Sequence, residues 1–260
     1  MKINNLEKFL ATVASGRLAL GAVITFADPA VTELCADAGM DFLWIDGEHG
    51  QMDRNTAMMH MMALRGTDCA PFYRVPACNH TEIKRVIDFA PAGVIVPMIL
   101  TEADARLAVE ACRYPLEGNR GVGFRRQIRY GADPVDAAFW ENARHDPLVI
   151  LQIEHIEAWR NLDAILAVPG VDALLIGPYD LTTSMGKSGQ FRDPEVVEVL
   201  DGICRKCRAA GKLLGAYTEG DFDLWRRRGL QFVACANDTG VLFQGLRRMR
   251  ETAESQLKNA

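Results

Sequence analysis

Gln152 and Glu154 break an otherwise apolar run, PLVILQIEHIE, at its C-terminal end. Leu148 to Leu151 are uninterrupted hydrophobics, the pattern of a strand buried on both faces. Residues two apart on a strand project to the same side, so the amide and the carboxylate sit together. Burying such a pair without partners is costly. Hard oxygen donors of this kind suit Mg²⁺ or Mn²⁺. A second run, VDALLIGPYD, ends on Asp180, four residues past Ile176 on the segment leaving the strand. Glu154 and Asp180 are therefore candidate ligands of one divalent cation, with Gln152 beside it. The simpler alternative is that Glu154 caps a helix starting near Ile156 and Asp180 caps a turn.

Three other stretches carry chemistry-bearing groups. In DFLWIDGEHG, His49 shares a turn with Asp46 and Glu48. A carboxylate beside an imidazole fixes its tautomer and raises its basicity, which suits a general base; the alternative is a solvated surface turn. Arg74 is the single charge in PFYRVPAC, and a charge in an apolar strand needs a partner or a ligand. Its guanidinium can fork onto a carboxylate or steady an enolate oxygen, or form a salt bridge to Glu48 or Asp46. Asp88 ends a helical segment, where a negative charge opposes the dipole and calls for a cation; His49 is one candidate.

The elements that would position these groups follow from periodicity. Apolar strand-like runs (Leu18–Phe26, Asp41–Ile45, Pro71–Val75, Gly93–Met98, Leu148 onward, Val171–Ile176, Lys212–Tyr217, Gln231–Ala236) alternate with helical patterns. Such alternation implies parallel strands with right-handed crossovers. Eight units in 260 residues, with no composition shift marking a linker, predict one (β/α)₈ barrel domain over 1–260. Asp46–His49, Arg74, Gln152–Glu154 and Asp180 then all ring the C-terminal mouth, where barrels of this class place their chemistry.

Bulk properties remove other classes. A net charge of −5 offers no basic excess for nucleic acid. No apolar run reaches membrane-spanning length. Seven cysteines without secreted-domain spacing, and no signal peptide, are those expected of a reducing cytoplasm. Cys204 and Cys207 form a C-x-x-C inside a helical pattern with no second pair to complete a zinc site. Gly121-Val122-Gly123 is a lone G-x-G, too little for a nucleotide cofactor. It lies in a long loop, Arg113–Asp133, whose arginines could attract an anionic substrate or pair with acids on a neighbouring subunit.

Taken in order, FLWIDGEHG, RVP, VIVPMI, RYPLEGNRGVG, QIE and IGPYDLTTSMG resemble the HpcH/HpaI family of metal-dependent 2-oxo acid aldolases. The resemblance runs from about Gly16 to the last helix. It implies a (β/α)₈ barrel assembled as a homo-hexamer, with the C-terminal helix exchanged between subunits. It implies a class II aldolase in which Mg²⁺, Mn²⁺ or Co²⁺ holds pyruvate. Carried over residue by residue, Glu154 and Asp180 fall on the metal ligands, Gln152 on the metal-adjacent glutamine and His49 on the base. Arg74 falls on the enolate-stabilising arginine, Asp88 on the acid that raises the histidine's basicity, and Asp46 on a second carboxylate in the histidine turn. Tyr179, where a small residue is common, narrows the mouth beside Asp180. FRRQIRYG and Ala236-Asn237-Asp238 also depart from the family pattern, which leaves the aldehyde open. The rival expectations are a citryl-CoA or malyl-CoA lyase-like enzyme and a non-catalytic barrel that binds 2-oxo acids.

Overall fold

The structure is a computed structural model that describes residues 3–258. Among these the chain opens with α1 (Leu6–Ala14), β1 (Ala19–Ile24), α2 (Ala30–Asp37), β2 (Phe42–Asp46) and α3 (Arg54–Ala63). It continues through β3 (Ala70–Arg74), α4 (His80–Ile87), β4 (Gly93–Val96), α5 (Glu102–Cys112) and α6 (Ala137–Ala143). Then come β5 (Leu148–Ile153), α7 (Ile156–Arg160), α8 (Leu162–Leu166), β6 (Ala173–Ile176), α9 (Pro178–Ser184) and α10 (Pro194–Ala209). The last elements are β7 (Leu213–Tyr217), α11 (Phe222–Arg227), β8 (Phe232–Asn237) and α12 (Asp238–Lys258). All eight strands pair in parallel and in sequence order, and β8 returns to β1 to close the barrel. The (β/α)₈ architecture expected from the alternation is the one formed.

Period-two alternation fills the interior. Phe42 and Trp44, Ala70 and Phe72, Leu148 and Ile150, and Ala173 and Leu175 point inward and form one buried cluster. The intervening strand residues pack against the helix ring in a second cluster. α1 plugs the N-terminal end of the barrel: Phe9 sits edge-on to Phe42, Phe72 and Phe232, at 5.9, 4.8 and 5.7 Å between ring centroids. Gly215 makes room for this layer, since a Cβ there would fall 2.2 Å from the Phe232 ring. At the other end Asp238 ties the seam. Its carboxylate accepts from the Thr25 and Phe26 backbone N–H groups at 2.7 and 2.8 Å, and from the Thr25 hydroxyl at 2.7 Å.

Several local expectations hold and several shift. Thr101 and Asp104 form the capping box foreseen at the start of α5. The helix expected over Glu157–Ala167 divides at Asn161, whose side-chain amide donates to the Leu100 carbonyl at 2.8 Å. Asp180 is not on a loop but in the first turn of α9. Pro178 opens that helix, and the Thr182 and Thr183 hydroxyls bond back to the Tyr179 carbonyl at 2.9 and 2.8 Å. The arginine-rich loop joins α5 to β5, so it lies at the plugged end, away from the mouth. Arg126 turns inward there and donates to the Phe89 and Met61 carbonyls at 2.6 Å each. Arg129 is taken up by Asp133. An attraction of this loop for substrate at its own mouth is thereby removed.

Candidate active site

The inward phase set by Phe42 and Trp44 carries on to Asp46, and that set by Ala70 and Phe72 carries on to Arg74. Asp46 and Arg74 are register partners across β2 and β3. Both are buried, and they meet as a fork: Arg74 Nε donates to Asp46 Oδ1 at 2.8 Å and Nη2 to Oδ2 at 2.7 Å. The guanidinium lies over the Trp44 ring, 4.7 Å from its centroid. Nη1 reaches Glu48 Oε2 at 2.8 Å and Gln152 Oε1 at 3.5 Å. Both salt bridges considered as alternatives for Arg74 are thus formed, and they hold Nη1 between Glu48 and Gln152. Asp46 Oδ1 also accepts from the Glu48 and His49 N–H groups at 3.0 and 3.3 Å. Asp46 therefore builds the histidine turn and locks the arginine.

On β5 the inward phase of Leu148 and Ile150 passes to Gln152 and then to Glu154, both buried. Gln152 Nε2 donates to Glu154 Oε2, and the Met98 backbone N–H donates to Oε1 at 2.8 Å. Met98 holds a left-handed φ of 52° to do so, a strained geometry for a residue with a side chain. Glu154 is not a helix cap. That part is played by His155, whose ring accepts from Glu157 N at 3.1 Å. Gly177 supplies the space: a Cβ there would fall 2.7 Å from Glu154 Oε2 and 3.1 Å from Gln152 Nε2.

Glu48 pairs with the buried guanidinium, Glu154 feels its charge, and Asp180 adds its own negative charge to both carboxyls. Burial pushes Glu154 up to about 7, with the charges of Glu48 and Asp180 adding to the rise against the Met98 N–H and Arg74. Burial raises Glu48 too, Asp46 and Asp180 contributing against the pull of Arg74 and His49. Asp180 is exposed at the rim and has no hydrogen bond or ion pair among the described residues. The mouth thus holds more negative charge than Arg74 offsets, on hard oxygen donors. Those are the properties a divalent cation requires of a site. No group of three or more His, Cys, Asp or Glu side chains converges tightly enough to hold a metal among the described residues. Two carboxylates would therefore leave positions for water or substrate, as Mg²⁺ commonly does.

The remaining site candidates fall at different distances from this cluster. His49 projects into solvent over the mouth, 69% exposed, with Nε2 3.9 Å from Glu48 Oε2. Tyr179 is exposed and packs edge-on against Phe191 at 4.9 Å. Asp88 does not join His49. It caps the C-terminus of α4, at the plugged end, where Arg120 Nη2 reaches it at 3.4 Å. Helices of this fold run antiparallel to the strands, which puts Asp88 and His49 of one chain at opposite ends of the barrel. Sequence inspection did not find Met98 N–H, Trp44 or Gly177. A backbone donor leaves no residue-type signal, whereas the glycine of IGPYD was visible and its purpose was not.

Comparison with known proteins places this geometry. A family model described as HpcH/HpaI aldolase/citrate lyase matches residues 21–244. The chain belongs to that family. It is 34% identical over 248 residues to 5-keto-4-deoxy-D-glucarate aldolase of Citrobacter koseri, covering 94% of this chain and 95% of that protein. It is 34% identical over 239 residues to hydroxypyruvate/pyruvate aldolase of Roseobacter denitrificans, covering 91% and 93%. The crystal structure of an HpcH/HpaI aldolase from Desulfitobacterium hafniense superposes with a TM-score of 0.87 at 26% identity, covering 94% of this chain and 96% of that one. The citrate synthase SbnG superposes at 0.85 with 26% identity, covering 98% and 99%.

In chelator, the raised Glu154 carboxyl makes stability depend on pH. A carboxyl raised from 4.5 to about 7 adds stability while protonated, and that stability is lost as pH rises from below 4.5 through about 7. The loss is on the order of 3 kcal/mol at 1.36 kcal/mol per unit. In chelator, Glu154→Gln should therefore raise the melting temperature at pH 8 and leave it nearly unchanged at pH 4.5. Equal effects at both pH values, read by calorimetry, would show that Glu154 is not held protonated by its surroundings.

Proposed function

We propose that this protein is a class II, pyruvate-dependent aldolase. It reversibly cleaves a 4-hydroxy-2-oxo acid to pyruvate and an aldehyde. The observation that carries the assignment is the gathering of three mutually repelling carboxyls, Glu48, Glu154 and Asp180, with the buried Arg74 at the barrel mouth, in a chain of this family. Glu154 and Asp180 would hold the cation (Mg²⁺, Mn²⁺ or Co²⁺), with Gln152 orienting Glu154. Bound there, the cation supplies Lewis acidity at the 2-oxo group. The names of the two aldolase relatives support the same reaction class.

The chain's own residues account for the remaining work. Arg74, fixed by Asp46 and Trp44, keeps Nη1 facing the site. Cleavage moves the C3–C4 bonding pair toward the C2 oxygen, and Nη1 offsets the charge that develops there. His49 takes the C4 hydroxyl proton through a water as C4 becomes the aldehyde carbon. Tyr179 limits the mouth on the Asp180 side. EDTA should abolish cleavage, and Mn²⁺ or Mg²⁺ should restore it, with no lysine adduct trapped by borohydride. Full activity in chelator, or such an adduct, would rule the class II route out. A thermal shift with acetyl-CoA separates the CoA-lyase alternative.

Assembly belongs to the same proposal. Leu242, Phe243, Leu246 and Met249 of α12 are exposed, a large apolar stripe to leave in water. We assign it to exchange between subunits of a homo-hexamer. Asp88 can meet His49 only across such an interface. A Phe243→Glu/Leu246→Glu double variant should sediment as a smaller species with its secondary structure kept. An unchanged mass would remove α12 from the interface.

A further inference from the structure

The groove between α10 and α11 on the outside of the barrel gathers charge of one sign. Arg192, Arg205, Arg208, Arg227 and Arg228 line it with a single carboxylate, Asp201, around a volume of about 520 Å³. The chain as a whole carries −5. Arg228 is built in: its side chain is 9% exposed, Nε donates to Asp201 at 2.6 Å, and the guanidinium lies 4.9 Å from the Trp225 ring centroid. Its guanidinium makes no other hydrogen bond among the described residues, and Arg228 lines the groove. Arg208 lies along the bare backbone of Gly229, where a Cβ would fall 2.6 Å from its Cδ. Arg227 shares Asp223 with Arg226. The side chains of Arg192 and Arg205 have no hydrogen bond or ion pair among the described residues.

Attraction to helix C-termini explains Arg208 and Arg227, which lie in last turns. It does not explain Arg192, which precedes α10 at the positive end of that helix. Arg228 is itself the C-cap of α11, but that place alone does not require its guanidinium to be nine-tenths buried at the groove between Asp201 and Trp225. The groove runs roughly 17 Å along the α10 axis between Val197 and Arg208. It shares Arg192 and Arg228 with a neighbouring cleft of about 730 Å³ that extends to Tyr179, the residue before Asp180. A lone carboxylate uses one guanidinium fork. Several forks spread over this length match several phosphoryl oxygens.

We propose that the α10–α11 groove binds a small polyanion carrying phosphoryl groups. The aldol chemistry uses none of its arginines, so the site is separate from the metal site. The probe is inorganic pyrophosphate, titrated calorimetrically into the full-length protein at low salt, with malonate as a dicarboxylate competitor. Wild type should show saturable binding that malonate barely displaces and that weakens as salt rises. Arg192→Glu/Arg205→Glu, at two exposed positions, should weaken it at least tenfold. That variant should keep its circular dichroism, its oligomeric mass and its rate of pyruvate proton exchange. Absence of saturable heat, equal binding by the variant, or equal competition by malonate would overturn the proposal. So would a change of oligomeric mass in the variant, which would make the groove a contact between copies of this chain.

Discussion

Glu154→Ala should lower Mn²⁺ affinity by at least about a hundredfold, since even residues behind a ligand commonly cost ~10–100-fold. Turnover should fall with it at fixed metal concentration. The variant removes one of two carboxylates and leaves Gln152 Nε2 and the Met98 N–H without their acceptor. Part of its effect could then come from lost packing. Glu154→Gln separates the two, because its amide oxygen still accepts from the Met98 N–H, its NH₂ group meets a Gln152 amide that can turn its oxygen toward it, and the side chain carries no charge. It should bind metal as poorly as Glu154→Ala while being more stable than wild type in chelator at pH 8. A fold that gains stability when a charged group is neutralised, and loses its ligand in the same step, is holding that charge for binding. Retained Mn²⁺ binding by both variants, measured by calorimetry, would remove Glu154 from the metal site.

Arg74→Ala should damage both stability and turnover. Asp46 is buried and gives both oxygens to the fork, so the variant leaves a carboxylate without its cation. Breaking a buried pair from one side costs about 3–5 kcal/mol. Turnover measured where the variant is still folded should drop about 10²–10³-fold if Nη1 acts as an oxyanion donor. Arg74→Lys is the informative companion. An ammonium can neutralise Asp46 but cannot make the fork and point a further donor inward. It should recover much of the melting temperature and little of the rate. Wild-type turnover in Arg74→Lys would mean that Arg74 serves only to hold Asp46.

The barrel was legible because its strands are short apolar runs between helical patterns, and eight repeats at this length leave few alternatives. The direction of the site was legible for the same reason: polar residues at the ends of runs are rare. Asp46, Arg74, Gln152 and Glu154 emerged in that way. The inward phase was harder to read, because strands buried on both faces do not alternate in polarity. FLWID gives no hint whether the face shared by Phe42, Trp44 and Asp46 is turned to the barrel axis or to the helix ring. Only at strand ends does a polar residue disclose the phase.

What escaped the sequence depended on longer distances. The pairing of Asp88 with His49 looked open in one dimension, but the antiparallel run of α4 carries Asp88 to the far end of the barrel. Arg120 and Arg126 read as a charged loop and instead hold that loop down by bonding inward. The third carboxylate of the group, Glu48, was visible as a neighbour of His49 and a partner for Arg74, but not as a neighbour of Glu154. Its proximity to Glu154 comes from barrel closure.

Diffraction from crystals grown with Mn²⁺ and pyruvate, recorded at the manganese edge, tests the central claim most directly. The expected result is one anomalous peak per chain between Glu154 and Asp180, about 2 Å from an oxygen of each, with pyruvate reaching toward Arg74. A peak elsewhere, or none at the mouth while the two carboxylates point apart, would contradict it.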